Sequence, residues 1–330
     1  SILVTGAGGS IGSELCRQLA RFAPRKLVLF EQSEFALYTL EQWFAVHVPE
    51  ITLVSMAGDV KDPARLAEVF EAHVPQVVFH AAAYKHVPLM EVGNAWQAVR
   101  NNVLGTLLVA ECAIRFGAER FVLISTDKAV NPTNVMGATK RLAEMACQAM
   151  QQPGGTRFVS VRFGNVLGSS GSVIPKFQKQ IEAGGPVTVT HPEITRYFMS
   201  IPEAAQLVLQ AGLMGQGGEI FVLDMGEPVK IAELARLMIR LSGADENRIR
   251  IEYTGLRPGE KLYEELLADD ESTLPTPHPK LRVAKARAAD AGWYAECMDW
   301  LAHPDIYDEA TVKTRLKNWV PEYQPESMPA

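Results

Sequence analysis

Apolar and polar positions follow two rhythms along the first half of this chain. Short, nearly continuous apolar runs at residues 2–5, 26–30, 53–56, 76–80, 120–125 and 157–162 read as strands buried on both faces. Between them apolar residues recur three and four apart, as in Ile11, Leu15 and Leu19 or Leu66, Val69 and Phe70, which reads as amphipathic helix. Asp62 and Pro63 supply a cap and a first helical residue for the second of these. Strand alternating with helix predicts an α/β fold with a Rossmann-like, doubly wound parallel sheet.

After residue 162 the alternation weakens. Residues 165–172 read as a polar, glycine-rich loop, 173–183 as helix and 187–190 as a short strand. Residues 195–199 precede a helix from about Pro202. Residues 219–224 are expected to return to the sheet, and 231–241 form a helix with an apolar stripe. Arg257-Pro258-Gly259-Glu260-Lys261 is expected to open a further helix, and the proline-bearing stretch 269–280 to be loop. The tail, with Trp293, Trp300 and Trp319, reads as helical cover. This divides the chain into a sheet domain over 1–165 and a smaller C-terminal lobe over 166–330.

Of 330 residues, 47% are hydrophobic and 21% charged, enough for a substantial core. The net charge of −6 carries no nucleic-acid footprint. Cys16, Cys112, Cys147 and Cys297 are scattered without metal-binding spacing, so no metal site is expected and a reducing, cytoplasmic setting fits. No run of about 18 apolar residues occurs, so no membrane span is predicted in this chain.

The chemistry concentrates at strand ends. Residues 2–5 run directly into Gly6, Gly8, Gly9, Ser10, Ile11 and Gly12, which open a helix. Glycines there permit a tight turn and close backbone approach, and a helix N-terminus favours a pyrophosphate, so a dinucleotide is predicted. Glu31, with Gln32 and Ser33, follows the second strand about 20 residues further on, where a carboxylate accepts from ribose hydroxyls and repels a 2′-phosphate. NAD is therefore favoured over NADP. Asp59 and Val60 after the third strand are assigned to the adenine end, with a plain turn Asp as the alternative for Asp59. Ala81, Ala82 and Ala83 after the fourth strand leave room for a nicotinamide ribose, and Lys85 and His86 are candidate site-lining residues. Asn101 and Asn102 fall in a helical pattern, where at least one is expected to bond backbone in the core. The fifth strand ends in Ser125, Thr126, Asp127 and Lys128, followed by a helix with Met136 and Lys140 one turn apart.

Thr5-Gly6…Gly9…Gly12, Ala81–Ala83 and the Ser/Thr group followed by Lys140 resemble the extended short-chain dehydrogenase/reductase superfamily. More narrowly, residues 125–132, Thr195-Arg196-Tyr197-Phe198-Met199 and Arg257–Lys261 resemble the UDP-N-acetylglucosamine 4,6-dehydratases of the large, membrane-anchored bacterial type. The likeness runs from residue 2 to about 325. In that type transmembrane helices precede the catalytic part, and here they would lie upstream of Ser1, placing the chain at the cytoplasmic face of the inner membrane. A homo-oligomer is expected. The chain departs from the wider superfamily at Met136, where a tyrosine is usual. A thioether neither accepts nor returns a proton.

The resemblance implies oxidation at sugar C4 by NAD⁺, loss of water across C5 and C6, and hydride return to C6. The product is a UDP-2-acetamido-2,6-dideoxy-4-hexulose for surface polysaccharide. Asp127 is implied as acid and Lys128 as base, with Thr126 or Ser125 on the C4 oxygen and Lys140 on the nicotinamide ribose; a water beside Met136 stands in for the phenol. Such roles need a carboxyl holding its proton and an amine lacking one, so the two are expected apart in the resting site. Arg196 and Arg257 suit the diphosphate, Asn165 a phosphate, Glu260 the uridine ribose, and Val173, Thr188 and Thr190 the uracil end. A 4-epimerase and a non-catalytic nucleotide-sugar sensor are the alternatives.

Overall fold

A computed structural model describes residues 1–244, 248–267, 272–285, 291–303 and 306–325. The first half alternates as the apolar rhythm predicts. It runs β1 (Ile2–Thr5), α1 (Ser10–Ala20), β2 (Leu27–Glu31), α2 (Glu34–His47), β3 (Leu53–Ala57), α3 (Pro63–His73) and β4 (Val77–His80). Short helices α4 (Val87–Glu91) and α5 (Ala95–Val99) lead through a π-helical turn into α6 (Gly105–Arg115), then β5 (Arg120–Ile124), α7 (Val135–Ala149) and β6 (Arg157–Arg162). The second half adds β7 (Asn165–Val166), α8 (Val173–Glu182), β8 (Val187–Val189), β9 (Thr195–Arg196), β10 (Phe198–Met199), α9 (Ile201–Met214) and β11 (Ile220–Leu223). It continues through β12 (Val229–Lys230), α10 (Ile231–Leu241), β13 (Ile251–Tyr253), β14 (Thr273–Pro275), β15 (Leu281–Ala284), α11 (Ala291–Ala302) and α12 (Glu309–Trp319).

Nine strands form one sheet in the order β3-β2-β1-β4-β5-β6-β11-β15-β14. The run from β3 to β11 is parallel, and β15 and β14 close that edge antiparallel. β2 is buried at every position, as a strand covered on both faces must be. One face carries α3, α6 and α7 over Leu3, Val28, Phe121 and Phe158; the other carries α1, α2 and α9 over Val4, Leu29, Val122 and Val159. This is the doubly wound α/β architecture. The helices start where local chemistry dictates. Asp62 accepts from the amides of Ala64 and Arg65 with Pro63 as first helical residue, and Asn134 accepts from the Gly137 amide at 2.7 Å to start α7.

Residues after 165 divide between two places. α9, β11, β14 and β15 complete the large sheet, while α11 and α12 cover α7, with Trp300 packed between Trp96 and Trp319 at 4.8 Å from each. A separate small core joins Phe177, Val187, Val189, Ile231, Ala235 and Ile239 from α8, β8 and α10.

Two local expectations fail. Residues 257–261 form a turn, not a helix start: the Glu260 amide bonds back to the Arg257 carbonyl at 2.9 Å and Gly259 takes φ +73°, so the Pro-Gly pair reverses the chain. The proline-bearing stretch is not all loop, since residues 273–275 pair antiparallel with β15. Pro275 is tolerated there because β14 is an edge strand. Residues 269–271 of that stretch lie outside the described residues. Among the described residues no helix is long and apolar enough to cross a membrane.

Candidate active site

A cavity of about 600 Å³ opens beyond the carboxyl ends of β1, β4, β5 and β6, between the sheet and the small core. That is the side of a parallel sheet where ligands bind, at the point where the chain winds away from β1 in both directions. His80, wholly buried, ties the two central strands: Nδ1 meets the Thr5 hydroxyl at 2.7 Å and Nε2 the Thr106 hydroxyl at 3.0 Å. Burial and the nearby Lys140 push this imidazole down to about 3, so it stays neutral.

The glycines of the first loop are needed for space. A Cβ on Gly12 would fall 2.0 Å from the Gly6 carbonyl oxygen, one on Gly6 (φ +64°) 2.6 Å from the Ala82 amide nitrogen, and one on Gly8 2.5 Å from the Ala36 Cβ. Gly9, Ser10, Ile11 and Gly12 line the cavity at the start of α1, which has no side-chain cap. Its first backbone N–H groups therefore lack helical partners and suit an anion. Glu31 accepts from the Gly8 amide at 3.0 Å and the Ser33 amide at 2.9 Å, so it fastens the glycine loop to the end of β2. Gln32 and Ser33 are exposed, and Ser33 caps α2. Asp59 is held by the Lys61 amide and ammonium, both at 2.9 Å. These four lie at the β2 and β3 ends, outside the main cavity. Val60 is 5% exposed and packs under Gly105, and Ala82 packs into the core while Ala81 and Ala83 reach the cavity. Asn102 clamps the following loop, accepting from the Tyr84 amide at 2.8 Å and donating to its carbonyl at 3.0 Å.

Lys140 and Met136 stand side by side on the cavity wall, 4% and 3% exposed. The Lys140 ammonium makes no hydrogen bond or ion pair with the described residues, and burial lowers it to about 8. A buried ammonium without a hydrogen-bond partner among the described residues fits a ligand rich in hydroxyls. One turn on, Glu144 gathers the Ser125 hydroxyl at 2.6 Å, Arg162 through two nitrogens at 2.8 Å, and Arg141 at 3.3 Å. Burial alone would raise this carboxyl, but the Arg162 guanidinium and the other donors hold it below its ordinary value. Ser125 thus spends its hydroxyl proton on Glu144, while Thr126, also on the cavity wall, donates to Asp127 Oδ1 at 2.9 Å. Sequence patterning missed Glu144, Arg141 and Arg162. The spacing of Glu144 one helical turn from Lys140 was the available signal, but only the fold brings Arg162 on β6 to α7.

Asp127 and Lys128 share one 3-10 turn, Asp127–Ala129. They were expected apart, and they are paired: Lys128 Nζ lies 2.9 Å from Asp127 Oδ1. The lysine finds its nearest anion in the adjacent residue, because a lone buried charge is costlier still. Asn165 Oδ1 also accepts from Lys128 at 3.1 Å, and Glu264 stands 3.6 Å away. Burial pulls the Lys128 ammonium down, but the Asp127 and Glu264 carboxylates outweigh it and raise it overall. Lys128 faces the cavity; Asp127, 1% exposed, sits behind it with Oδ2 unpartnered.

On the opposite wall Arg196, 7% exposed, spends its guanidinium on the protein. It donates to the carbonyls of Thr195, Leu262 and Lys261 and to Glu260, and its Nε is 3.7 Å from Glu264. It organises the 257–265 segment rather than offering free donors. Arg257 is exposed and grips Glu260 at 2.9 Å; burial would raise that carboxyl, but Arg257 and Arg196 hold it low. Lys176, not foreseen, also lines the cavity, lowered by burial and by Arg257. Lys85 reaches Ser169 at 3.5 Å, and His86 lies against Gly171. Val173, Thr188 and Thr190 line the far end, with Thr188 bonded through its amide and hydroxyl to Gln180.

The chain is similar to known proteins. Residues 2–286 match the family described as polysaccharide biosynthesis protein. The chain belongs to that family. Its fold is that of the extended short-chain dehydrogenase/reductases. It is 59% identical over 273 residues to the capsular polysaccharide biosynthesis protein CapD of Staphylococcus aureus, covering 82% of this chain and 45% of that protein. The chain therefore spans about half the length of that relative. It is 32% identical to a UDP-N-acetylglucosamine 4,6-dehydratase (inverting) of Campylobacter jejuni, over 83% of this chain and 79% of that one. A UDP-glucose 4-epimerase of Rickettsia conorii is 34% identical over 82% of this chain and 78% of that one. Among solved structures, that of Pen from Bacillus thuringiensis superposes with a TM-score of 0.79 at 33% identity, covering 87% of this chain and 90% of that one.

Proposed function

We propose that the chain is an NAD-dependent UDP-N-acetylglucosamine 4,6-dehydratase making a UDP-2-acetamido-2,6-dideoxy-4-hexulose for bacterial surface polysaccharide, at the cytoplasmic face of the membrane. Residues 1–165 would carry the dinucleotide and 166–330 most contacts to the nucleotide sugar. One observation carries the reading: a carboxyl and an amine 2.9 Å apart at the end of β5, next to a buried lysine, with a thioether where a proton-carrying phenol would serve simple oxidoreduction or epimerisation.

The residues present fit the dinucleotide. The uncapped N-terminus of α1 would take the pyrophosphate, Glu31 the adenosine ribose, and buried Lys140 the nicotinamide ribose. Bound there, the nicotinamide supplies reversible hydride acceptance from a sugar carbon. The protons of the elimination are then the protein's to manage. A sugar filling the cavity expels water from around the Asp127–Lys128 pair, and desolvation disfavours the charged forms. A proton shift along the existing Nζ–Oδ1 hydrogen bond turns the ion pair into a neutral acid and a neutral amine. Lys128 then takes the C5 proton of the 4-keto sugar, and Asp127, its carboxyl turned past Lys128 into the cavity, gives its proton to the departing C6 hydroxyl, which returns both groups to their charged forms. Thr126 orients the C4 oxygen, and the Lys140 charge favours electron density on it. Arg257, Lys176 and Lys85, all lining the cavity, supply positive charge for the diphosphate.

Incubating the protein with UDP-N-acetylglucosamine and NAD, with the product analysed by mass spectrometry and NMR, tests this. Loss of one water and a new methyl group is the expected result. Unchanged mass with inverted C4 means a 4-epimerase, and binding without turnover means a sensor.

A further inference from the structure

Glu264 plays no part in the scheme above, yet it occupies the junction of the site. It is 8% exposed, lines the cavity, and belongs to the same segment as Arg257 and Glu260. Its Oε1 stands between two cations, 3.6 Å from Lys128 Nζ and 3.7 Å from Arg196 Nε. Its Oε2 is buried and has no hydrogen-bond partner. A buried carboxylate is costly unless cations hold it, and Lys128 and Arg196 are the cations within reach.

Resting on the dehydratase reading, we propose that Glu264 is the positioning residue for Lys128, tethering the base together with Asp127 and coupling it through Arg196 to the segment 257–265.

The geometry explains why a second carboxylate is required. Asp127 lies behind Lys128 and draws the amine back towards the sheet, whereas Glu264 lies on the cavity wall. With both in place Nζ is held on the cavity wall, where Asn165 Oδ1 accepts a further hydrogen bond from it at 3.1 Å. The charged groups around Lys128 are then Asp127 and Glu264, which favour its proton, and Arg196 and Lys85, which oppose it. Arg196 also bonds the Leu262 and Lys261 carbonyls and Glu260, so any shift of that segment on nucleotide binding moves Glu264 with it.

The test is peptide-resolved acylation of Lys128 by acetic anhydride as a function of pH, in the full chain and without turnover. Glu264→Gln removes the anion and leaves Arg196 uncompensated. The midpoint for Lys128 acylation is expected to fall by about one pH unit or more. Glu264→Asp, which withdraws the charge by one methylene, is expected to shift the midpoint less in the same direction, and it carries the measurement if the glutamine variant does not fold. Glu265→Gln, on the same segment but bonded to Lys261, is expected to leave it unmoved. An unmoved midpoint in Glu264→Gln overturns the proposal. The readout does not depend on dehydration. A wild-type protein that fails to turn over UDP-N-acetylglucosamine while the shift is present removes the dehydratase reading and leaves the tether standing.

Discussion

Lys128 Nζ lies 2.9 Å from Asp127 Oδ1, and the two residues are consecutive on a single turn at the end of β5. The acid and base of the proposed elimination are therefore stored as an ion pair. Lys128→Ala removes the base and leaves the glycine loop and Lys140 untouched. We expect loss of water from UDP-N-acetylglucosamine to drop by about a hundredfold or more with NAD affinity unchanged. Dehydration at the wild-type rate, followed by mass spectrometry, would take the base role from Lys128.

Met136 is 3% exposed and packs in the core beneath the cavity. Met136→Ala is expected to cost about 2–5 kcal/mol in urea unfolding, the range for truncating a buried methionine. Measurable dehydratase activity should remain, because a thioether moves no proton. A fall to background in a variant that is still folded would show that Met136 does more than fill space.

Glu144 and Arg162 are 0% and 1% exposed and paired at 2.8 Å. Arg162→Leu leaves the Glu144 charge buried with Arg141 as its remaining guanidinium partner, for an expected loss of about 3–5 kcal/mol. Because this carboxyl is held below its ordinary 4.5, its contribution is present above that value and lost as pH falls through the lower folded value. The wild-type advantage over Arg162→Leu in chemical denaturation should accordingly shrink on acidification below about pH 4. A constant difference down to pH 2 would contradict the assignment.

Lys140 titrates at about 8 in the fold against an ordinary 10.5. The native state therefore resists its charge, and the penalty, of order 3 kcal/mol, is full below about pH 8, fades between there and about 10.5, and is absent above. Lys140→Met should be the more stable protein at pH 7, with the gap closing across that window. Equal stability at neutral pH would mean that Lys140 is compensated in solution.

Gly12→Ala places a methyl 2.0 Å from the Gly6 carbonyl oxygen. The glycine loop must open, so NAD affinity measured by calorimetry should fall at least tenfold while the sheet stays folded. Unchanged affinity would move the pyrophosphate elsewhere.

The order of strands and helices was legible along the chain because buried parallel strands and amphipathic helices impose their own periods on the residues, whatever packs against them. The glycine loop and the Thr126–Lys140 segment were legible for the same reason, since each is set by local backbone and one helical turn. Local signals also misled. Arg257–Lys261 carries a helix-start composition, but Gly259 and the Arg257–Glu260 contact reverse the chain there.

What the sequence by itself determined is the strand-helix order and the set of reactive groups at the strand ends. Tertiary structure alone decided who meets whom. Ser125 donates to the Glu144 that Arg162 of β6 also holds, Arg196 is spent on the 257–265 segment, and Glu264 reaches Lys128 from 136 positions away. Charges buried together choose partners by distance in space, and distance between segments far apart in the chain leaves no period in the sequence to read.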